Sequence, residues 1–242
     1  VIKDGKFRKW MRNIYTLYGT GDTFKDKDEG YRTCANGNEF EAWLLTHTLN
    51  TNQTLYDVKL YIEIESQMEP CENVNGNCFK DAFELLRYNG DETPEVPFDP
   101  EKSSDKAVKK KAREFFQSNF TCIGNITGNS TSKEIMDTTF TLNLKQFRTI
   151  TLGIKSRGSC GSVIRMKVYY IVCKETFINS VMFRKTLAPQ NGTKVVFGNC
   201  SANSRVDLIS GNLPAFCHSN GSWSTEGEIV CRCKEGYEST DK

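Results

Sequence analysis

Tyr56-Asp57-Val58-Lys59-Leu60-Tyr61-Ile62-Glu63-Ile64 is the stretch on which the fold class turns. Tyr56, Val58, Leu60, Ile62 and Ile64 alternate with Asp57, Lys59 and Glu63, and only Tyr61 breaks the pattern. Successive side chains of a strand point to opposite faces, so this period of two describes an antiparallel strand with one face buried and one in water. The pattern recurs along the chain. Phe140, Leu142 and Leu144 alternate with Thr141, Asn143 and Lys145, and Ile150, Leu152 and Ile154 repeat it. Ile164, Met166, Val168, Tyr170 and Val172 form a further buried face, with Arg165 and Lys167 opposite. Shorter candidates run from Tyr31 to Ala35, Glu39 to Thr46 and Phe79 to Tyr88. Many short strands with turn chemistry between them predict an all-β fold, a sandwich or barrel.

The segment from Asn89 to Thr139 breaks this texture. It opens on Asn-Gly-Asp and Pro94, Pro97 and Pro100, then runs through Lys109-Lys110-Lys111. Val108, Ala112, Phe115 and Phe116 have helical spacing, and Ser104 or Asp105 is placed to cap such a helix. The expectation is a long excursion with one short helix whose lysines form a solvated face. After Cys173 the alternation weakens, and Gly, Asn and Ser cluster between closely spaced cysteines. Small modules of that kind depend on disulfides because they bury too little apolar surface alone. The domain boundary is placed near Lys174.

At 242 residues the chain is long enough for one large domain or a medium one with a smaller companion. The 32 Lys+Arg against 30 Asp+Glu give no global field for nucleic acid or an acidic membrane. No apolar run approaches the roughly 20 residues of a membrane helix. There is no basic and apolar leader, so any signal peptide is expected to have been removed or to lie outside this sequence. Ten cysteines indicate a disulfide framework, which persists in an oxidising compartment. Seven N-x-Ser/Thr sequons begin at Asn52, Asn119, Asn125, Asn129, Asn191, Asn199 and Asn220. Both features point to a secreted or cell-surface glycoprotein with exposed backbone at each sequon.

Catalysis is not expected. Neither His47 nor His218 sits in a nucleophile or metal motif. His218 beside Cys217, with Cys231 and Cys233 nearby, lacks the paired spacing of a zinc site, and oxidised cysteines cannot ligate. No alternating Asp/Asn loop of the calcium type appears. Neither a metal nor any other cofactor is expected.

A constellation of cysteines and aromatics remains. Tyr31-Arg32-Thr33-Cys34 is followed by Phe40-Glu41-Ala42-Trp43-Leu44-Leu45-Thr46, the strand to Ile64, a Cys71…Cys78 loop and Phe79-Lys80-Asp81-Ala82-Phe83-Glu84-Leu85. Then come Gly158-Ser159-Cys160 and Met166-Lys167-Val168-Tyr169-Tyr170-Ile171-Val172-Cys173. This order resembles the ligand-binding domain of Eph receptors, the receptor tyrosine kinases that recognise ephrins. Cys173, Cys200, Cys217 and Cys231, with Asn220-Gly221-Ser222-Trp223, resemble the sushi-like module that follows in that family. Cys231-Arg232-Cys233-Lys234-Glu235-Gly236-Tyr237-Glu238 is similar to the junction into its EGF-like module.

The resemblance implies a jelly-roll β-sandwich over residues 1–173, a sushi-like module over 174–231 and the start of an EGF-like module over 232–242. It implies an extracellular receptor fragment that binds a membrane-tethered ephrin on a neighbouring cell, with a possible role for the cysteine-rich region in receptor clustering. Kinase activity and the transmembrane segment would belong to other parts of the protein. An apolar channel would accept a hydrophobic ephrin loop, lined from Tyr31, Arg32 and Cys34, from Gln67, Met68 and Glu69, and from Cys160, Gly161 and Ser162. A bulky charged residue at Gly161 or Ser162 is expected to abolish binding and leave the fold intact. The implied disulfides are Cys34–Cys160, Cys71–Cys78, Cys173–Cys217 and Cys200–Cys231. The first closes a very long loop, worth roughly 4–5 kcal/mol by chain entropy.

Three features depart from the family, one being the long excursion from Asn89 to Thr139, which aligns poorly with it. Members commonly carry an arginine just before the first cysteine of the Cys71/Cys78 pair, whereas Glu69 stands here. Cys122 has no counterpart, and is left as either a free buried thiol or a partner of Cys233. The alternative function is a jelly-roll lectin or adhesion module that binds glycans, since fold alone does not fix function.

Overall fold

The computed structural model describes residues 11–18, 21–27, 30–35, 41–68, 81–90, 92–95, 105–127, 134–156, 161–206, 214–226 and 231–238, with backbone alone at 11–18, 21–27, 30, 32–35, 41–42, 51–54 and 81–82. Two five-stranded sheets dominate. The first has the order β1 (Met11–Tyr18), β4 (Glu41–Thr46), β9 (Leu152–Ser156), β6 (Asp81–Tyr88) and β7 (Phe120–Thr127). The second has the order β2 (Gly21–Lys27), β3 (Gly30–Ala35), β10 (Gly161–Tyr170), β5 (Leu49–Met68) and β8 (Ile135–Ile150). The fold is the expected jelly-roll β-sandwich.

The alternating stretch from Tyr56 to Ile64 lies within β5, where Val58, Leu60, Ile62 and Ile64 are all buried. Tyr56 is not, at 63 % exposure. Asp57 explains the difference: its φ of +50° is left-handed backbone, which interrupts the pleat beside it. On β10 the inner face is Val163, Met166 and Val168, with Ile164 half-buried, so the alternation slips by one residue between Val163 and Met166.

The chain changes sheets twice at one corner. Between β4 and β5 it passes through His47 and Thr48, and between β8 and β9 it passes through Thr151. Leu152 N donates to Thr46 Oγ1 at 3.0 Å, and Tyr88 N donates to Thr151 O at 2.9 Å. Every residue of β9 is buried, and so are Trp43 to Thr46 of β4. Strands covered on both faces lose their alternation.

The cover on one face is a helix, the first long element among the described residues of the excursion from Asn89 to Thr139. Helix α1 (Lys106–Asn119) starts at Asp105, whose Oδ1 accepts from Ala107 N at 2.8 Å. Ala112 and Phe116 are fully buried against Trp43, Leu45, Leu86 and Phe120, and the Trp43 and Phe116 rings stack at 4.5 Å. Lys110 and Lys111 are exposed, as a solvated face requires. The start of the excursion is tied to the end of α1, since Asn89 N donates to Asn119 O and Thr121 Oγ1 to Asn89 Oδ1, both at 2.8 Å. Strands β7 and β8 complete it. Cys122 lies on β7 at the edge of the first sheet; it is free and exposed, neither buried nor bonded to Cys233, which is also free.

A second compact unit comprises Tyr170 onward together with Tyr56–Leu60 and Asn143–Gln146. Its pairs are β11 (Val172–Cys173) with β14 (Thr186–Leu187) and β17 (Ser204–Val206) with β20 (Cys231–Cys233). Its small sheets are β12 (Thr176–Ile178), β13 (Val181–Phe183) and β16 (Asn199–Cys200), and β15 (Thr193–Phe197), β18 (Pro214–His218) and β19 (Trp223–Ser224). Disulfides join Cys173 to Cys217 and Cys200 to Cys231. Sulfur takes the place of a large core here: Cys173, Cys217 and Cys231 are buried among Val181, Phe183 and Ala215 or beside Ala188. Trp223 packs on Phe183 while its Nε1 donates to Lys174 O at 2.7 Å.

Candidate ligand-binding face

At one end of the second sheet three separated pieces of sequence meet. Strands β3 and β10 run antiparallel with Thr33 opposite Gly161, Arg32 opposite Ser162 and Tyr31 opposite Val163. On the other side of β10 lies the end of β5. A Cβ built on Gly161 would stand 2.6 Å from Met68 Sδ, 3.1 Å from Gln67 O and 3.2 Å from Phe83 Cζ. Gly161 is therefore required for the close approach of these segments. A substitution there would displace the backbone of β5 and a ring from the facing sheet, which corrects the expectation that it would spare the fold.

Burial sorts these residues by face. Tyr31, Met68 and Gly161 are buried and hold the inner side, whereas Ser162 and Gln67 are half-exposed. Cys34 lies in β3 opposite Asp22. Glu69, Cys71, Cys78 and Cys160 fall outside the described residues.

The outer face of β5 and β10 continues as a polar ladder. Arg165 pairs with Glu65, and Lys167 Nζ donates to Glu63 Oε2 at 3.1 Å. The Tyr169 hydroxyl donates to Glu63 Oε1 at 2.6 Å, and its ring stacks on Tyr61 at 5.3 Å. The Tyr169 bond, then that from Lys167, holds the Glu63 carboxyl below its ordinary range. Tyr169 in turn is pushed up to about 12, first by its hydrogen bond to Glu63 and then by burial. Sequence reading placed Arg165 and Lys167 outward but missed their partners. The signal was the period of two in β5, which puts Tyr61, Glu63 and Glu65 on one face.

This end of the sheet combines a tightly packed inner wall with a polar outer rim. Such an arrangement suits the docking of a protein better than chemistry on a small molecule. Residues 17–173 match the family described as the ephrin receptor ligand binding domain, more than half of the chain. The chain belongs to this family.

Curated relatives of the ephrin receptor ligand-binding domain chain agree. It is 23% identical to mouse Ephrin type-A receptor 1 over 223 residues, covering 86% of this chain and 21% of that protein. It is 24% identical to mouse Ephrin type-B receptor 3 over 195 residues, covering 76% of this chain and 18% of that protein. A shorter match to chicken Ephrin type-B receptor 2 is 28% identical over 91 residues, 37% of this chain and 9% of that protein. The chain thus spans about a fifth or less of the length of these relatives. A ligand-binding domain of this family is not a kinase domain, and the lectin alternative is not favoured.

Among the sequons, Asn125, Asn191, Asn199 and Asn220 are exposed. Asn119 is half-buried, and its Nδ2 donates to Phe115 O at 2.8 Å. Asn129 and the side chain of Asn52 lie outside the described residues. No helix among the described residues is long and apolar enough to cross a membrane.

Proposed function

We propose that this chain is the extracellular, ligand-binding part of a receptor and that it takes a membrane-tethered ephrin presented by a neighbouring cell. The observation that carries the reading is the ligand-binding-domain match over residues 17–173, joined to relatives named ephrin receptors. The seven sequons and the two disulfides among the described residues support an extracellular setting. Signalling through a tyrosine kinase would belong to another part of the longer protein. Residues 174–231 act as a sushi-like module that assists receptor clustering, and 232–242 begin an EGF-like module.

In this reading the ligand docks where β3, β10 and the end of β5 meet. An apolar loop of the partner enters beside Ser162 and Gln67, with Tyr31, Met68 and Gly161 as the wall behind it and Arg32, Cys34, Glu69 and Cys160 around it. One or two large apolar side chains buried there contribute about 1.5–3 kcal/mol each, enough to dominate a standard interface. Glu69, where the family resemblance implies an arginine, favours a basic or neutral ligand residue at the rim. Reversal of a rim charge acts mainly on association rate and salt dependence.

Surface plasmon resonance with a panel of ephrins tests this. Ser162→Arg, on the half-exposed side of β10, is expected to lose at least tenfold in affinity while the circular dichroism spectrum stays unchanged. Glu69→Arg is expected to alter the association rate with little change in dissociation. Unchanged affinity in folded Ser162→Arg would place the ligand elsewhere.

A further inference from the structure

Strand β15 carries two large apolar side chains into water, Val195 at 50 % exposure and Phe197 at 63 %. A tertiary cover of protein would have to be found for them, but the sequence supplies another kind two residues later. Asn199-Cys200-Ser201 is a sequon, and Phe197 stands at the second position before its asparagine.

The geometry aims both side chains the same way. A Cβ on Gly198 would come within 2.4 Å of Val181 Cγ1 and 2.7 Å of Phe183 Cε1, so the backbone of Gly198 lies directly on the core of the second unit. Exposure alternates from Val195 to Cys200, with Val195, Phe197 and Asn199 the exposed members. We propose that an N-linked glycan on Asn199 folds back over Phe197, its first N-acetylglucosamine packing the C–H face of the sugar on the ring. The electron-rich face of an aromatic ring attracts polarised C–H groups, and the contact also removes apolar surface from water. The proposal rests on the reading that the chain passes through the secretory pathway.

The finished fold sets the order of events. Asn199 is paired with Met182 in a ladder, Cys200 is bonded to Cys231, and the Ser201 hydroxyl lies 2.8 Å from that of Ser204. A transferase cannot engage an acceptor held in this way. Transfer must therefore precede closure of the disulfide, whose second cysteine is made 31 residues later, about 2–6 s at ordinary synthesis rates. The step bonds Asn199 Nδ2 to C1 of the first sugar of a lipid pyrophosphate donor. It breaks the bond from C1 to the pyrophosphate and releases one amide proton.

The test uses the whole chain secreted from a eukaryotic cell, with glycopeptide mapping and thermal unfolding. Asn199 is expected to be occupied. Phe197→Ala and Asn199→Gln are each expected to lower Tm by about 2–4 °C, and the double variant to fall no further than the lower single. Enzymatic trimming to a single N-acetylglucosamine is expected to keep the Tm of the full glycan, a result independent of any substitution. Additive shifts, or no effect of Phe197→Ala, would overturn the contact. An empty Asn199 with occupied Asn191 and Asn220 would overturn this proposal alone. A chain bare at all three would overturn the secretory reading together with it.

Discussion

Thr48 Oγ1 lies 2.8 Å from Thr151 Oγ1, joining two of the points at which the chain passes from one sheet to the other. Beside them Thr46, 2 % exposed, accepts from Leu152 N. Thr46→Val keeps the shape and leaves that buried N–H without its acceptor. A loss of about 1–3 kcal/mol is expected from such a group, read as a lower urea midpoint. Thr48→Val, at a half-buried position, is expected to cost about 1 kcal/mol or less. Equal losses would mean that Thr46 is not the principal tie at this corner.

The helix can be tested separately. Phe116→Ala removes a fully buried ring stacked on Trp43, for which about 3–5 kcal/mol is expected. Lys110→Ala, on the solvated side, is expected to change stability by no more than about 0.5 kcal/mol. Chemical denaturation of the two variants side by side decides whether α1 belongs to the core.

Alkaline titration reads the Glu63–Tyr169 bond. Tyr169 holds its proton up to about 12, above the ordinary tyrosine value of about 10. Its contribution to stability is therefore whole below the unfolded value and disappears as the pH rises through the folded one. Absorbance of tyrosinate is expected to show one late-titrating tyrosine that Tyr169→Phe removes. Glu63 acts at the other end: its lowered value gives stability that is present above the ordinary glutamate range and lost as pH falls below it. Tyr169→Phe titrating like the parent chain would refute the assignment.

Non-reducing peptide mapping addresses Cys34, Cys71, Cys78 and Cys160. Gly161, which follows Cys160, is paired with Thr33, which precedes Cys34. A Cys34–Cys160 bridge is expected from that register, with Cys71–Cys78 as a second. A Cys34 peptide linked to any other cysteine would contradict both the register and the channel wall built on it.

How much of this was legible in the sequence depended on burial. The half-buried strand β5 announced itself through alternation, because one face met water. Strands β4 and β9 did so less well, since both of their faces are buried. Strands β1 and β2 went unread. The helix was visible in the spacing of Val108, Ala112, Phe115 and Phe116, but its length was hidden by the prolines and sequons around it. At the candidate site, the family resemblance grouped Tyr31, Arg32, Gln67, Met68, Gly161 and Ser162, which β3, β10 and the end of β5 bring side by side, without naming their faces. That Tyr31 and Met68 point inward while Ser162 and Gln67 do not is a tertiary fact. So is the tight seat of Gly161, which no local signal separates from any other turn glycine.

The covering of the first sheet by α1 also has a bearing on divergence. Its interior contacts, Trp43 with Phe116 above all, lie on the far side of the sandwich from Ser162, Glu65 and Lys167. With the ligand docked as proposed, exposed positions of the second sheet can change without asking the helix-covered face of the first to repack. The helix and its aromatic seat thus form a scaffold whose packing does not depend on what the opposite face meets.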